Sequence, residues 1–276
     1  MRRGHAMEVW AYFGGMVTAF CAALFFGRRL GDRKDRKYPV AVAVGCCALV
    51  VVYVLCRFRI DLAARIFGVE PLAFLESTGI VPPAAFVFVF ASRRQENPRA
   101  ARGLVGLAII LGVFMISRWA ATLYGVEAAT VNFIDADGVV MQTTDDTCGA
   151  ASLVGLLAAY GISASENEMA GLALTDYISG TSEIRMLRAL KVKLDGTGLV
   201  PFLSKLDYSE LMGKPMPCVI VVKYNMYIEH VVLVKQMYHG GLLMDDPIKG
   251  RIGWTKPVFL REWGGYAIWI DDRRGR

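Results

Sequence analysis

The sequence predicts an N-terminal α-helical transmembrane bundle of about four spans, followed by a C-terminal α+β domain. Apolar residues make up 55% of the 276-residue chain, and its mean hydropathy of +0.41 is high for a soluble protein. This excess is concentrated before residue 126, where long apolar runs give way to shorter ones separated by turn residues. We therefore predict a transmembrane region over 1–126 and a second domain over 127–276.

The first part contains four apolar segments of roughly spanning length, which predicts a multi-pass integral membrane protein with the lipid bilayer as a partner. The third segment is the least regular, because it contains Glu76 and the pair Pro82-Pro83. Membrane helices tolerate the kink that such a pair predicts when their neighbours satisfy the backbone. The predicted spans lie near 9–27, 38–56, 71–92 and 103–124.

Basic residues between these segments predict how the protein is oriented in the membrane. The 28–37 and 93–102 loops contain ten Lys and Arg residues, whereas the N-terminus and the 57–70 loop contain five. The positive-inside rule then places the two basic loops in the cytoplasm, and with four spans the C-terminal domain lies on the outer face. If the 71–92 segment does not cross, the domain lies on the cytoplasmic face instead.

Several function classes are excluded by what the sequence lacks. The net charge of +6 belongs to residues beside apolar segments, and the second domain shows no basic and aromatic interleaving that would indicate nucleic acid. Only two of the six cysteines lie outside the apolar segments, so no disulfide framework is expected. The three histidines do not cluster, which predicts no metal and no cofactor. No nucleotide-binding G-x-x-x-x-G-K-[ST] motif occurs, so a separate transporter stays an open partner.

The second domain is predicted to begin with a hairpin, 131–134 and 139–141, and then a helix that carries a cysteine. Cys148 follows the N-cap residues Asp145, Asp146 and Thr147, and Gly161 is suited to end the helix. A cysteine in the first turn feels the positive end of the helix dipole, which favours the nucleophilic thiolate. The simpler interpretation is an ordinary buried cysteine.

Two later stretches supply partners for this thiol. His230 begins a β-branched run, and Asp245 and Asp246 precede a proline turn. A Cys–His pair oriented by a carboxylate is the arrangement of a thiol hydrolase. Asp246 is preferred to Asp245 because Pro247 restricts it to an extended conformation. Gln142, six residues before the cysteine, is suited to donate an N–H to an oxyanion.

The other elements predict helices first and strands second. Ser165 and Ser182 are expected to begin two helices, and 208–212 a helical turn. His239, beside Gly240, is the competing histidine and is expected in an exposed turn. Strands are expected at 199–203, 217–223, 227–236, 241–244, 253–254 and 266–270.

Residues 140 to 270 resemble the C39 peptidase domains, which are papain-like domains best known at the front of bacteriocin and peptide exporters. The matching residues are Gln142, Cys148-Gly149 with Ala151, Tyr160-Gly161, His230-Val231-Val232, Asp246-Pro247 and Gly250. The resemblance implies a papain-like fold, with Cys148 as nucleophile, His230 as base, Asp246 as the residue that orients it and Gln142 in the oxyanion hole. It also places the helix start at 181–185 beside the site.

The family's typical substrate is a leader peptide that ends in Gly-Gly. Two residues depart from the family pattern where a substrate would lie. Thr147 occupies the usually acidic position before the cysteine, with Asp146 one place earlier, and Ala150 replaces a frequent proline.

Together these observations predict a membrane-anchored cysteine peptidase that cleaves a peptide or protein after small residues such as Gly-Gly. Two alternatives use the same residues. One is a non-cleaving, peptide-binding sensor module on a membrane anchor. The other is acyl transfer on the same three residues, since a fold does not determine a substrate.

Overall fold

A computed structural model of the chain describes residues 3–33, 37–76, 78–223, 229–238 and 240–273. The chain divides into two compact units. The first contains residues 1–63 and 70–123, and the second contains residues 64–69 and 124–276. The first unit is helical, and the second combines helices with antiparallel sheets.

The helices of residues 3–124 are mostly long and apolar. Three of them, among the residues that the structure describes, are long and apolar enough to cross a membrane: 9–31, 39–58 and 98–124. In order, the helices are α1 (Arg3–Gly31), α2 (Lys37–Phe58), α3 (Ile60–Phe67), α4 (Val69–Leu75), α5 (Val81–Ser92) and α6 (Pro98–Tyr124).

The prediction of one kinked helix over 71–92 is wrong. This segment forms α4 and α5, and the turn between them includes Gly79. Pro82 and Pro83 begin α5 instead of kinking a longer helix. The first turn of a helix tolerates proline because its N–H groups have no acceptor within the helix.

Helix α5 packs closely against α1. A Cβ atom at Gly27 would lie 2.8 Å from the Phe86 carbonyl oxygen, and one at Gly31 would lie 2.9 Å from that of Phe90. Glycines four residues apart therefore let the two backbones approach closely, as small residues do in membrane helix pairs.

The second unit is built around a six-stranded antiparallel sheet of order β3-β8-β4-β5-β6-β7, beside a separate β1-β2 hairpin. Its strands are β1 (Phe133–Ile134), β2 (Val140–Met141), β3 (Leu199–Lys205), β4 (Cys218–Lys223), β5 (Glu229–Tyr238), β6 (Gly241–Asp246), β7 (Gly250–Thr255) and β8 (Trp263–Asp272). Its helices are α7 (Cys148–Ala158), α8 (Glu166–Leu172), α9 (Glu183–Lys193), α10 (Tyr208–Met212) and α11 (Lys256–Glu262).

Each predicted strand and helix of this domain has a counterpart, with shifted ends, whereas α11 was not predicted. Helix α7 buries Leu153, Leu156 and Leu157, and Gly161 has the left-handed φ of 74° expected beyond its end. The opposite side of α7 packs on β5, where a Cβ at Gly155 would lie 3.0 Å from Leu233. This contact packs the second half of α7 on the sheet.

Candidate active site

Cys148 is the first residue of α7 and is half-buried. The preceding residue, Thr147, is buried, and its hydroxyl does not cap the helix. Instead it donates to the carbonyl oxygen of Thr144 at 3.1 Å. Hydrogen bonds within the loop therefore hold the segment before the cysteine. The first backbone N–H groups of α7 have no acceptor within the helix.

His230 lies near the start of β5 and is 5% exposed. Its Nε2 atom is 2.8 Å from Oδ1 of Asp246, which is 2% exposed at the end of β6. The same carboxylate oxygen accepts the backbone N–H of Ile248 at 2.8 Å. Residues sixteen positions apart therefore form a buried, hydrogen-bonded pair.

The two side chains shift each other's protonation. Burial lowers the pKa of His230, but hydrogen bonds with Asp246 and with Cys148, together with their charges, outweigh it and raise this pKa to about 9. Burial raises the pKa of Asp246, but the bond to His230 and the Ile248 amide outweigh it and hold this pKa below its ordinary value. Cys148, His230 and Asp246 thus form one connected group, which favours a charged imidazolium.

Asp245, the alternative carboxylate, has other partners. Its oxygens accept from Arg251 at 2.8 and 3.3 Å, and Lys235 lies 3.8 Å away. Adjacent residues of a strand point to opposite sides, which separates Asp245 from Asp246. The competing His239 lies outside the described residues.

Gln142 lies just after β2, and its backbone N–H donates to the Pro247 carbonyl oxygen at 3.0 Å. This bond ties it to the residue after Asp246. Its side-chain Nε2 donates to the carbonyl oxygen of Thr144 at 2.8 Å, and its buried Oε1 has no hydrogen-bond partner among the described residues. One of the two N–H bonds of the amide is thus engaged by the loop before the cysteine.

Sequence reasoning missed Glu166, which holds the segment beside Gln142. Glu166 is fully buried, and its two oxygens accept from the backbone N–H and the hydroxyl of Thr143 at 2.9 and 2.8 Å. The predicted Ser165 cap drew attention to Glu168 instead, whose N–H donates to the Ser165 hydroxyl at 3.1 Å. Nothing in the local pattern marks Glu166, because its partner is 23 residues away.

A turn between α8 and α9 packs against the start of α7. A Cβ at Gly149 would lie 3.0 Å from the Thr181 side chain and 3.3 Å from Met186 Sδ. The predicted helix start at 181–185 therefore lies directly beside the residue after Cys148. Asp176 in this turn is fully buried and pairs with Arg185 at 2.9 Å.

Among the described residues, neither the other cysteine of this domain nor a metal-binding group adds to the candidate site. Cys218 is fully buried in β4, and burial raises the pKa of its thiol to about 12, which makes it unreactive. Within the described ranges, no group of three His, Cys, Asp or Glu residues is arranged to hold a metal ion.

The second unit has the α+β architecture of the papain-like cysteine peptidases, with a cysteine helix packed on an antiparallel sheet that carries the histidine. The chain belongs to the Peptidase C39 family, which matches residues 137–275, about half of its length. A relative from Methanothermobacter thermautotrophicus, an uncharacterized protein, is 29% identical over 133 residues, which are 48% of this chain and 87% of the relative.

Two solved structures align with the same half of the chain. One is a double glycine motif protease from an AMS/PCAT transporter in complex with the leader peptide. It is 23% identical, with a TM-score of 0.42, and the alignment covers 52% of this chain and 97% of that one. The other, the peptidase domain of Streptococcus ComA, is 24% identical with a TM-score of 0.43, covering 48% and 95%.

Proposed function

We propose that this protein is a membrane-anchored cysteine peptidase that cleaves a peptide or protein after small residues such as Gly-Gly. The observation that carries the proposal is the buried His230, which is hydrogen-bonded to Asp246 at 2.8 Å and to Cys148. Membership of the Peptidase C39 family supports the reaction class. The Gly-Gly preference rests on the sequence resemblance.

In the proposed reaction, the sulfur of Cys148 attacks the scissile carbonyl carbon and the carbonyl oxygen becomes an oxyanion. The N–H of Cys148 at the helix start and the second N–H of the Gln142 amide are the donors for this oxyanion. Since Nε2 of His230 is engaged by Asp246, Nδ1 is the nitrogen that exchanges a proton with the thiol.

His230 then gives its proton to the departing amine as the C–N bond breaks, leaving a thioester on Cys148. Water attacks the thioester and gives a proton to His230, which releases the acid product and restores the thiol–imidazole pair. Asp246 holds the ring in one orientation throughout and favours its protonated form.

Small residues next to the nucleophile let the rest of the domain pack closely against the start of α7. Gly149 and Ala150 follow Cys148 directly, and both are buried. A Cβ at Gly149 would meet Thr181 at 3.0 Å, so a larger residue there would displace the neighbouring turn.

The experiment compares wild type with Cys148→Ala, both as full-length protein in lipid nanodiscs, on synthetic peptides that contain Gly-Gly. We expect wild type to release two fragments and Cys148→Ala to release none while still unfolding in one cooperative thermal transition. Mass spectrometry of the products in the presence of an amine separates hydrolysis from acyl transfer. Cleavage that persists in Cys148→Ala contradicts the proposal.

The membrane anchor is part of the proposal. Contacts along α1 support a crossing of the membrane by the 71–92 segment, although neither α4 nor α5 alone spans it. Phe74 stacks on Tyr12 with ring centroids 4.4 Å apart, and Arg93 pairs with Asp32 at 2.7 Å. Since Tyr12 and Asp32 are about 30 Å apart along a helix, α4 and α5 together follow α1 over about the thickness of the hydrocarbon core. Four crossings would put the peptidase domain on the outer face.

A further inference from the structure

The turn over Asp176–Gly180, hereafter the 176–180 turn, presents two exposed apolar side chains. Tyr177 is 59% exposed and Ile178 is 53% exposed. Polar residues and glycine dominate most exposed turns, because the backbone there needs hydrogen bonds and positive φ angles. An exposed aromatic residue next to an exposed β-branched residue therefore indicates contact with an apolar surface outside the second unit.

The base of this turn is rigid. Asp176 and Gly180 form a β-bridge with backbone hydrogen bonds of 2.8 and 3.3 Å. Asp176 Oδ1 accepts the backbone N–H groups of Ile178 and Ser179 at 3.0 and 2.9 Å. The other carboxylate oxygen accepts from Arg185, whose side chain is 5% exposed. A buried ion pair and two backbone bonds hold the shape of the turn, so the apolar pair stays exposed.

The chain enters the second unit beside this turn. The apolar helix α6 ends at Tyr124, and Gly125 follows it with the left-handed φ of 64° that is common after a helix. A Cβ at Gly125 would lie 3.9 Å from the carbonyl oxygen of Thr175, the residue before the turn. The backbone N–H of Ala129 then donates to the Thr143 hydroxyl at 3.1 Å. The segment after α6 is therefore bound to the domain and does not form a free linker.

The tip of the turn lies close to the end of α6. Tyr177 is two residues after Thr175, at most about 7 Å along the chain. With the contact between Gly125 and Thr175, the tip is within about 20 Å of Tyr124. A domain of about 150 residues is roughly 40 Å across. The tip therefore lies on the half of the domain where the chain leaves α6.

The end of α6 is suited to the lipid–water interface. Its 27 residues extend about 40 Å, which is more than the hydrocarbon core of about 30 Å. Tyr124, at its end, is 85% exposed. Tyrosine is enriched at membrane interfaces, because its ring is apolar and its hydroxyl group is polar. Tyr177 is a second exposed tyrosine near the same point of the chain.

The tip of the turn is uncharged as well as apolar. Tyr177, Ile178 and Ser179 are exposed and carry no charge. The Asp176 side chain is 0% exposed and is paired with Arg185. An uncharged tip can enter the interface without the cost of removing a charge from water. This composition favours apolar contact with lipid over electrostatic attraction to anionic headgroups.

We propose that Tyr177 and Ile178 dock the second domain on the lipid–water interface of the membrane that α6 enters. The inference rests on the membrane anchor of the proposed function and does not depend on peptidase activity. The hydroxyl oxygens of Thr175 and Thr181 are 2.6 Å apart, and Thr181 packs on Gly149. The docked turn therefore holds the start of α7 near the membrane surface.

The test places a benzophenone photocrosslinker at single positions of the full-length protein, by replacing one residue with p-benzoylphenylalanine. Each variant is reconstituted in nanodiscs of phosphatidylcholine and illuminated, and its lipid adduct is measured by peptide mass spectrometry. We expect at least roughly tenfold more lipid adduct at Tyr177 than at the control, because burial of one apolar side chain favours the docked position by about this ratio.

Tyr238 is the matched control, because it is also a tyrosine and is 48% exposed. It ends β5, eight residues after His230, and so lies about 26 Å along the strand from the candidate active site. Both tyrosines are exposed, so we expect both variants to keep the melting temperature of wild type. Equal lipid adduct at the two positions overturns the docking.

A third position separates failure of the docking from failure of the anchor. Ile110 is 64% exposed on α6 and should give a strong lipid adduct. An adduct at Ile110 without an excess at Tyr177 overturns the docking alone. The absence of an adduct at Ile110 overturns the membrane anchor and the docking with it. A peptide containing Gly-Gly is added to a second sample, and crosslinking of Tyr177 to this peptide in place of lipid also overturns the docking.

Discussion

Replacing Cys148 with alanine should lower the pKa of His230, because the thiol is one of two groups that hold its imidazole in the charged form. The ordinary pKa of 6.5 is raised to about 9 in the folded protein. This difference corresponds to about 3 kcal/mol of net preference for the charged ring. Burial opposes the charge, so the hydrogen bonds and charges of Asp246 and Cys148 supply more than this net amount. Without Cys148 only Asp246 opposes burial, and we expect a fall of roughly one unit or more.

The assay is an NMR pH titration of full-length protein in detergent, labelled with ¹³C at the histidine rings. The chain contains three histidines, so a His230→Gln variant assigns the signal. Cys218→Ala is the control. Cys218 is fully buried in the sheet and is not one of the groups that shift the pKa of His230. A His230 pKa that is the same in wild type and Cys148→Ala would refute the coupling between thiol and imidazole.

The same coupling predicts how stability depends on pH. Because the pKa of His230 is higher in the folded state than in the unfolded state, its protonated ring stabilises the fold. This contribution is complete below about pH 6.5 and is lost as the pH rises through about 9. The melting temperature of wild type should therefore fall over this interval, and that of Cys148→Ala should fall less.

Three further perturbations test other parts of the structure. Asp246→Asn should lower kcat/KM for a cleaved peptide roughly tenfold or more, whereas Asp245→Asn, whose partner is Arg251, should change it less than about twofold. Arg185→Met leaves the fully buried Asp176 without its cation and should lower the free energy of unfolding by about 3–5 kcal/mol in urea titrations; an unchanged value would mean that water reaches this carboxylate. Alkaline phosphatase fusions placed before and after the 71–92 segment should be active and inactive, respectively; equal activity would contradict a crossing there.

The sequence predicted the secondary structure of the second domain well because its signals are local. Hydrophobic periodicity, N-cap residues and turn glycines each act over a few residues, and they mark α7, α8, α9 and the strands. Helix α11 was missed because it lies between two strands and begins with Lys256-Pro257 directly after β7. Its only buried residue, Phe259, packs in the sheet core, and such packing leaves no local pattern.

The N-terminal region shows the limit of hydropathy. An apolar run of spanning length predicted one helix over 71–92, but the chain breaks it into α4 and α5. Hydropathy measures how a segment partitions into lipid, whereas helix continuity depends on Gly79 and on the two prolines that follow it. Packing on α1 through Gly27 and Gly31 then determines where α5 lies.

By itself, the sequence determined the order of elements in the second domain, its family resemblance and the candidate residues Gln142, Cys148, His230 and Asp246, because residue type and local spacing carry that information. The sequence already preferred Asp246 to Asp245, and the tertiary structure shows the bond to His230 itself, since strand register determines which carboxylate faces the ring. Only the tertiary structure brought Glu166 to Thr143 and the 176–180 turn to the start of α7. These contacts join residues sixteen or more positions apart, where no periodicity connects the partners and only packing can select them.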